Sequence, residues 1–151
     1  MDLEKVVERV KQKFPESILD LAAFRGETTL HLRAEDILDV CRFLHDDPEL
    51  TFDYLTDLCG VDYYPREPRF QVVYHLCSMK NRLRLRLKVS LPGGSPAVSS
   101  VVAVWKAANW LEREAFDMYG ITFHGHPDLR RILLTPEWEG HPLRKDYPLR
   151  G

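Results

Sequence analysis

No apolar run in the sequence approaches the roughly 20 residues needed to cross a bilayer. The most apolar stretch, Val98 to Trp110, is broken by Ser99, Ser100, Lys106 and Asn109. Any work at a membrane is therefore expected to depend on other chains. Charge of one sign is missing too: 21 Lys and Arg stand against 23 Asp and Glu, a formal net charge of -2. Nothing global points to DNA, RNA or anionic lipid. Cysteine is scarce and odd in number. Cys41, Cys59 and Cys77 form no C-x-x-C pair and lie in apolar settings, which reads as core thiols in a reducing compartment. G-x-G-x-x-G and P-loop strings are absent, and Gly93-Gly94 sits in a hairpin-like loop without a phosphate-binding context, so nucleotide binding has no support. The N-terminus, MDLEKVVERVKQKF, lacks the apolar core of a secretory signal and carries acids that a transit peptide avoids. A bacterial or archaeal cytoplasmic protein is expected.

What remains is ordinary globular material. The 151 residues, 44% hydrophobic and 29% charged, are enough for one domain with a real core. Asp2 can cap a first helix with Leu3, Val6, Val7 and Val10 on one face, ended by Pro15. Residues 18–24 and 28–32 read as strands joined around Gly26. A second helix is expected over 34–45, with Ile37, Leu38, Cys41 and Leu44 as its stripe. The middle is β-rich: a strand within 52–63, a turn at Pro65 to Pro68, and a hairpin of 70–79 and 82–90 around Lys80-Asn81. The second strand of that hairpin alternates, with Leu83, Leu85, Leu87 and Val89 on one face and Arg82, Arg84, Arg86 and Lys88 on the other. That basic face reads either as a surface for an acidic partner or as a solvated face paired with acids on neighbouring strands, and the second reading is preferred. A third helix is expected over 101–119, with Gly120 after its end.

Beyond Gly120 no period survives. Pro127, Pro136, Pro142 and Pro148 recur every six to nine residues, and residues 120–151 read as an extended C-terminal arm on a domain of residues 1–119. The fold class that follows is α+β: a two-layer domain with a mostly antiparallel sheet packed on helices, plus the extended arm. The arm interleaves arginines, acids and proline with Leu129, Ile132, Leu133, Leu134, Trp138 and Tyr147. It is too apolar to be left in water and too near neutral for RNA; its residue types suit a protein interface. So little of it could be buried alone that part of it is expected to be unstructured without a partner.

The densest polar constellation lies where the third helix meets this arm. Glu112 falls on the apolar stripe, where a carboxylate needs a cation or several donors. Arg113 and Asp117 are four apart and can pair along the helix, while Glu114 faces a third direction. Paired carboxylates can serve acid–base catalysis, but nothing beside them resembles a nucleophile or a substrate cleft. His124 and His126 project to one side of an extended segment, yet zinc needs two more ligands and only His141 offers itself. Gly125-His126-Pro127 and Gly140-His141-Pro142 read as two similar turns.

Several of these strings are shared with a known family. Glu112-Arg113-Glu114, Asp117-Met118-Tyr119-Gly120-Ile121, Gly125-His126-Pro127-Asp128-Leu129-Arg130-Arg131-Ile132-Leu133 and Gly140-His141-Pro142-Leu143-Arg144-Lys145-Asp146-Tyr147-Pro148-Leu149 resemble the signature of the 30 kDa subunit of NADH:quinone oxidoreductase, respiratory complex I. The likeness runs nearly without a gap over residues 112–149; the first hundred residues resemble the family only in their order of helices and strands. The resemblance implies a non-catalytic subunit of the hydrophilic part of a proton-translocating complex, peripheral on the cytoplasmic face of a bacterial or archaeal inner membrane. It implies no catalytic, cofactor or metal residues in this chain, with iron–sulfur clusters, FMN, NADH and quinone bound by partner subunits. The implied partners are the 49 kDa subunit and neighbouring iron–sulfur subunits. Glu112, Arg113, Glu114, Asp117, His126, Asp128, Arg130, Arg131, His141, Arg144, Lys145, Asp146 and Tyr147 become a network bracing helix, arm and partner. The same module also occurs in membrane-bound hydrogenases and related quinone or methanophenazine oxidoreductases, the alternative implied by the resemblance.

Overall fold

The computed structural model describes residues 1–148. Leu149, which ends the Asp-Tyr-Pro-Leu string, and Arg150 of the arm lie outside the described residues. Helix α1 spans Leu3–Lys13; the Asp2 carboxylate accepts the Lys5 amide at 2.9 Å, and Val6, Val7 and Val10 are buried. Strands β1 (Ile18–Phe24) and β2 (Glu27–Leu32) follow. Arg25 and Gly26, both at positive φ, close this hairpin in two residues, as the twist of paired strands favours. Helix α2 occupies Ile37–Asp46 after a single 3-10 turn at Ala34–Asp36. The remaining elements are β3 (Tyr54–Asp62), β4 (Phe70–Ser78), β5 (Leu83–Leu91), β6 (Ala97–Ser99), α3 (Ala108–Tyr119) and β7 (Thr122–His124).

The five longer strands form one sheet in the order β1-β2-β5-β4-β3. Every pairing is antiparallel except β2 with β5. The molecule is thus α+β with a mostly antiparallel sheet, as the alternation of the strands implies. Leu30, Leu32, Val72, Tyr74, Leu87 and Val89 face the helices and join Val6, Val10, Val40 and Leu44 in one core. Each such side chain, fully withdrawn from water, contributes roughly 1.5–3 kcal/mol. The short β6 and β7 pair in parallel beside this sheet, and the adjoining Ile121 and Phe123 are fully buried. The first residues after Gly120 therefore help close the core.

Two expectations need correction. Arg82 is not on the strand: at φ 55 it completes the turn before β5, so the basic row is Arg84, Arg86 and Lys88. The third helix begins at Ala108 and not at Val101. Val101, Val102 and Val104 are β-branched and poor helix formers. The Val101 amide is taken by Glu112 at 2.8 Å, and the Trp105 indole N–H is drawn to the Phe52 carbonyl at 3.0 Å. These bonds hold residues 101–107 in turns.

Helix α3 lies against β3. A Cβ at Gly60 would sit 2.7 Å from the Tyr119 ring, so the absence of a side chain there sets how closely the helix approaches the sheet. Its C-terminus, projecting at the edge of the sheet, is where the C-terminal arm returns.

Candidate functional site

The last four carbonyls of an α-helix have no partner within the helix. At the end of α3 all four are satisfied, three of them by the arm. The Phe116 carbonyl accepts the Gly120 amide at 2.8 Å. The Asp117 carbonyl accepts His141 Nδ1 at 2.9 Å and Arg131 at 3.2 Å, that of Met118 accepts the Leu143 amide at 3.0 Å, and that of Tyr119 accepts Arg144 Nε at 2.6 Å. Two guanidinium groups thus sit at the negative end of the helix dipole. Gly120, at φ 77, makes room for them: a Cβ there would come within 2.7 Å of both Arg144 and His141. Burial lowers the His141 pKa, with Arg144 and Arg131 pressing the same way, so the ring binds the carbonyl as a neutral donor.

Asp117 organises the same junction. It is wholly buried; one oxygen takes Arg131 at 2.5 Å and the other accepts the amides of Ile132, Leu133 and Leu134 at 3.2, 2.8 and 3.0 Å. Burial alone would raise its pKa, but these amides and Arg131 outweigh it and hold the carboxyl below its ordinary range. The expected Arg113–Asp117 pair is not formed. Arg113 instead donates to the carbonyls of Arg130 and Arg131 at 3.3 and 3.4 Å, because the returning arm brings Arg131 onto Asp117.

A second clasp fixes the far end of the arm. Asp62, at the end of β3, is almost fully buried and binds Arg69 through both oxygens at 2.8 Å. Arg69 also reaches Asp146 at 2.6 Å, and the Lys145 amide donates to Asp62 at 2.7 Å. Arg69 and Arg144 both stack on Phe70, 4.8 and 5.1 Å from its centroid. The Arg69 bonds, with the Lys145 and Tyr64 amides, hold the Asp62 carboxyl far below its usual range. Neither Asp62 nor Arg69 belongs to the network expected from the sequence. A lone aspartate on a strand and an arginine after Pro68 carry no local signal; 77 residues separate Arg69 from Asp146.

Of the cation or several donors expected for Glu112, the structure supplies donors. Its side chain is completely buried, and among the described residues no cation reaches it; it accepts Ser100 Oγ at 2.5 Å and the Val101 amide at 2.8 Å. Burial, only partly offset by these two bonds, pushes its pKa to about 7. It shares the core with Cys41, whose thiol is driven far up by burial, and with Tyr74, whose hydroxyl has no partner among the described residues.

The other expected members are spread along the arm. His126 donates from Nε2 to the Asn109 carbonyl at 3.1 Å and accepts the Asp128 amide at Nδ1. Among the described residues Arg130 pairs only with Asp128, in the open, where such a pair contributes little. The Tyr147 ring lies against Gly140, where a Cβ would approach it to 2.9 Å. Glu114 lines a shallow groove with Asp57, Cys59, Met118 and Leu143. Among the described residues no three His, Cys, Asp or Glu side chains gather as a metal site. The donor set also does not suit an iron–sulfur cluster held by four thiolates. The chain has three cysteines, all reduced, one sealed in α2 and two on neighbouring strands in unpaired registers.

Fold and site together define an α+β module whose buried charges fasten its own C-terminal arm. Residues 30–151 match the family described as respiratory-chain NADH dehydrogenase, 30 Kd subunit, and the chain belongs to that family. It is 55% identical over 149 residues to the C-type subunit of the NADH-quinone oxidoreductase of Roseiflexus sp. (strain RS-1), covering 99% of this chain and 86% of that protein. Among solved structures, the trypsin-resistant fragment (1-134) of Nqo5 superposes with a TM-score of 0.71 at 32% identity, over 85% of this chain and all of the fragment. A chain of the membrane-bound sulfane sulfur reductase, an archaeal respiratory membrane complex, shares the fold with a TM-score of 0.81 at 24% identity, over 97% of this chain and 85% of that one.

Proposed function

We propose that the chain is a non-catalytic subunit of a proton-translocating NADH:quinone oxidoreductase that packs against and stabilises the 49 kDa quinone-site subunit, using its C-terminal arm and the end of α3. The observation that carries this is the arm itself. It is fastened by its backbone and by Asp117, Arg131, Arg144 and Asp146, yet it turns Leu133, Trp138 and Leu143 outward at 54%, 44% and 53% exposure. On α3, Trp110 is equally exposed at 53%. Exposed aromatic and aliphatic anchors on a segment fastened on either side are what a stable protein interface uses.

The site's chemistry agrees. Asp117 and Asp62 are neutralised by arginines and amides, and Glu112 is sealed in the core away from any substrate. The one hydroxyl bonded to them, Ser100 Oγ on Glu112, is buried with it. The chain's part is to hold geometry, while iron–sulfur clusters, FMN, NADH and quinone are bound by partner subunits. Among the described residues no helix is long and apolar enough to cross a membrane, and attachment to the cytoplasmic face of the inner membrane runs through the complex.

Affinity purification of the tagged chain from native membranes is expected to recover a 49 kDa-type partner together with NADH:quinone activity. The Trp138→Ala/Leu143→Ala variant should lose that partner while keeping its own fold. A chain that stays monomeric in a native membrane extract would sink the reading.

A further inference from the structure

The helices cover one face of the five-stranded sheet; the other remains half-exposed. On that second face β5, central in the sheet, places Arg84, Arg86 and Lys88 in a row. Same-face neighbours on a strand lie about 6.6–6.8 Å apart, so three cations occupy roughly 13 Å. The sequence alone leaves two readings of this row, and the neighbouring strands decide between them. Among the described residues one ion pair meets the row: Glu27 binds Arg86 Nη2 at 3.0 Å. Among the described residues Arg84 and Lys88 form no ion pair. Arg86 Nε is buried with no partner among the described residues. Two concavities, of about 600 and 370 Å³, flank Arg86 and share it and Glu27 in their walls. At the rim Phe24 is 70% exposed.

We infer that this open sheet face is a second docking surface, for an extended acidic segment of a neighbouring protein in the complex whose carboxylates meet Arg84 and Lys88 and whose apolar residues cover Phe24. The segment is protein and not nucleic acid. The rim carries Asp20 and Asp57, which a continuous phosphate backbone would oppose and an alternating acidic and apolar peptide would not. The inference rests on the assembly reading above but concerns a different face from the C-terminal arm.

The test places a photo-crosslinking phenylalanine analogue at Ala22, an exposed position lining the smaller concavity, in the full chain assembled in its complex. Illumination is expected to join Ala22 to a peptide rich in Asp and Glu. The yield should fall about tenfold or more in the R84E/K88E background, where like charges oppose each other. R84Q/K88Q, which keeps the bulk and drops the charge, should fall between wild type and R84E/K88E. A crosslink to a neutral or basic segment, an unchanged yield in both variants, or no crosslink from a chain recovered in the complex would overturn the inference. Recovery of the chain outside any complex would instead remove the assembly reading, and this inference with it.

Discussion

The two ends of α3 each bury a carboxylate completely, and they do opposite things with it. Glu112 faces the core, meets one hydroxyl and one amide, and gains protons easily. Asp117, five residues on, meets a guanidinium and three consecutive amides of the arm and resists protonation. Both are withdrawn from solvent, but Glu112 lies deep in the core and Asp117 at the junction with the arm, so depth of burial and number of donors together decide the charge state. One end of the helix therefore holds a carboxyl that protonates readily and the other an ionic latch.

The contrast breaks most visibly at Asp117. Replacing it with Ala strands Arg131 and three amides at a buried site, which should cost about 3–5 kcal/mol, read as a lowered urea midpoint and new proteolytic cleavage within residues 130–148. Glu112 has the opposite sign. Its folded pKa of about 7 lies above the ordinary 4.5, so the native state holds an extra proton between those values and stability falls as pH rises through that window. The loss should approach about 3 kcal/mol by pH 8. The Glu112→Gln variant, whose amide can donate to Ser100 Oγ and accept the Val101 amide, should match wild type near pH 5 and lack the decline. Asp117 and Asp62, with lowered pKa values, contribute stability present above the ordinary aspartate pKa and lost only as pH drops well below it. Gly120→Ala tests the space at the latch. A left-handed backbone bearing a Cβ that meets Arg144 and His141 should cost about 2 kcal/mol, seen in the same urea titration. Arg130→Ala, which removes only an exposed pair with Asp128, should change stability by less than about 0.5 kcal/mol.

These contrasts also show what the residues reveal on their own. The alternation of β5 and the stripes of α1 and α2 are legible because burial on one face imposes a period. The resemblance over residues 112–149 covers the helix and the arm that the buried charges join. The wiring within it is not legible. Arg113 and Asp117 have the spacing of a helical pair, but spacing ignores Arg131, which a distant turn of chain delivers. Asp62 and Arg69 carry no pattern because their partners, Lys145 and Asp146, arrive from the far end of the sequence. The early start expected for α3 fails because side-chain bonds from Glu112 and Trp105 outcompete a regular helix there. The arm's apolar content suggests a segment needing a partner for order; the bonds to α3 and Asp62 fasten it on either side of residues 135–139, which are exposed.

An arm latched to α3 before any partner arrives is the central requirement of a rigidly presented interface. Amide hydrogen exchange in the isolated chain measures this at Ile132, Leu133 and Leu134. The prediction is clear protection at these three amides, lost in Asp117→Ala while the amides of β4 and β5 stay protected. Exchange of the three at unprotected rates in the wild-type chain would contradict it.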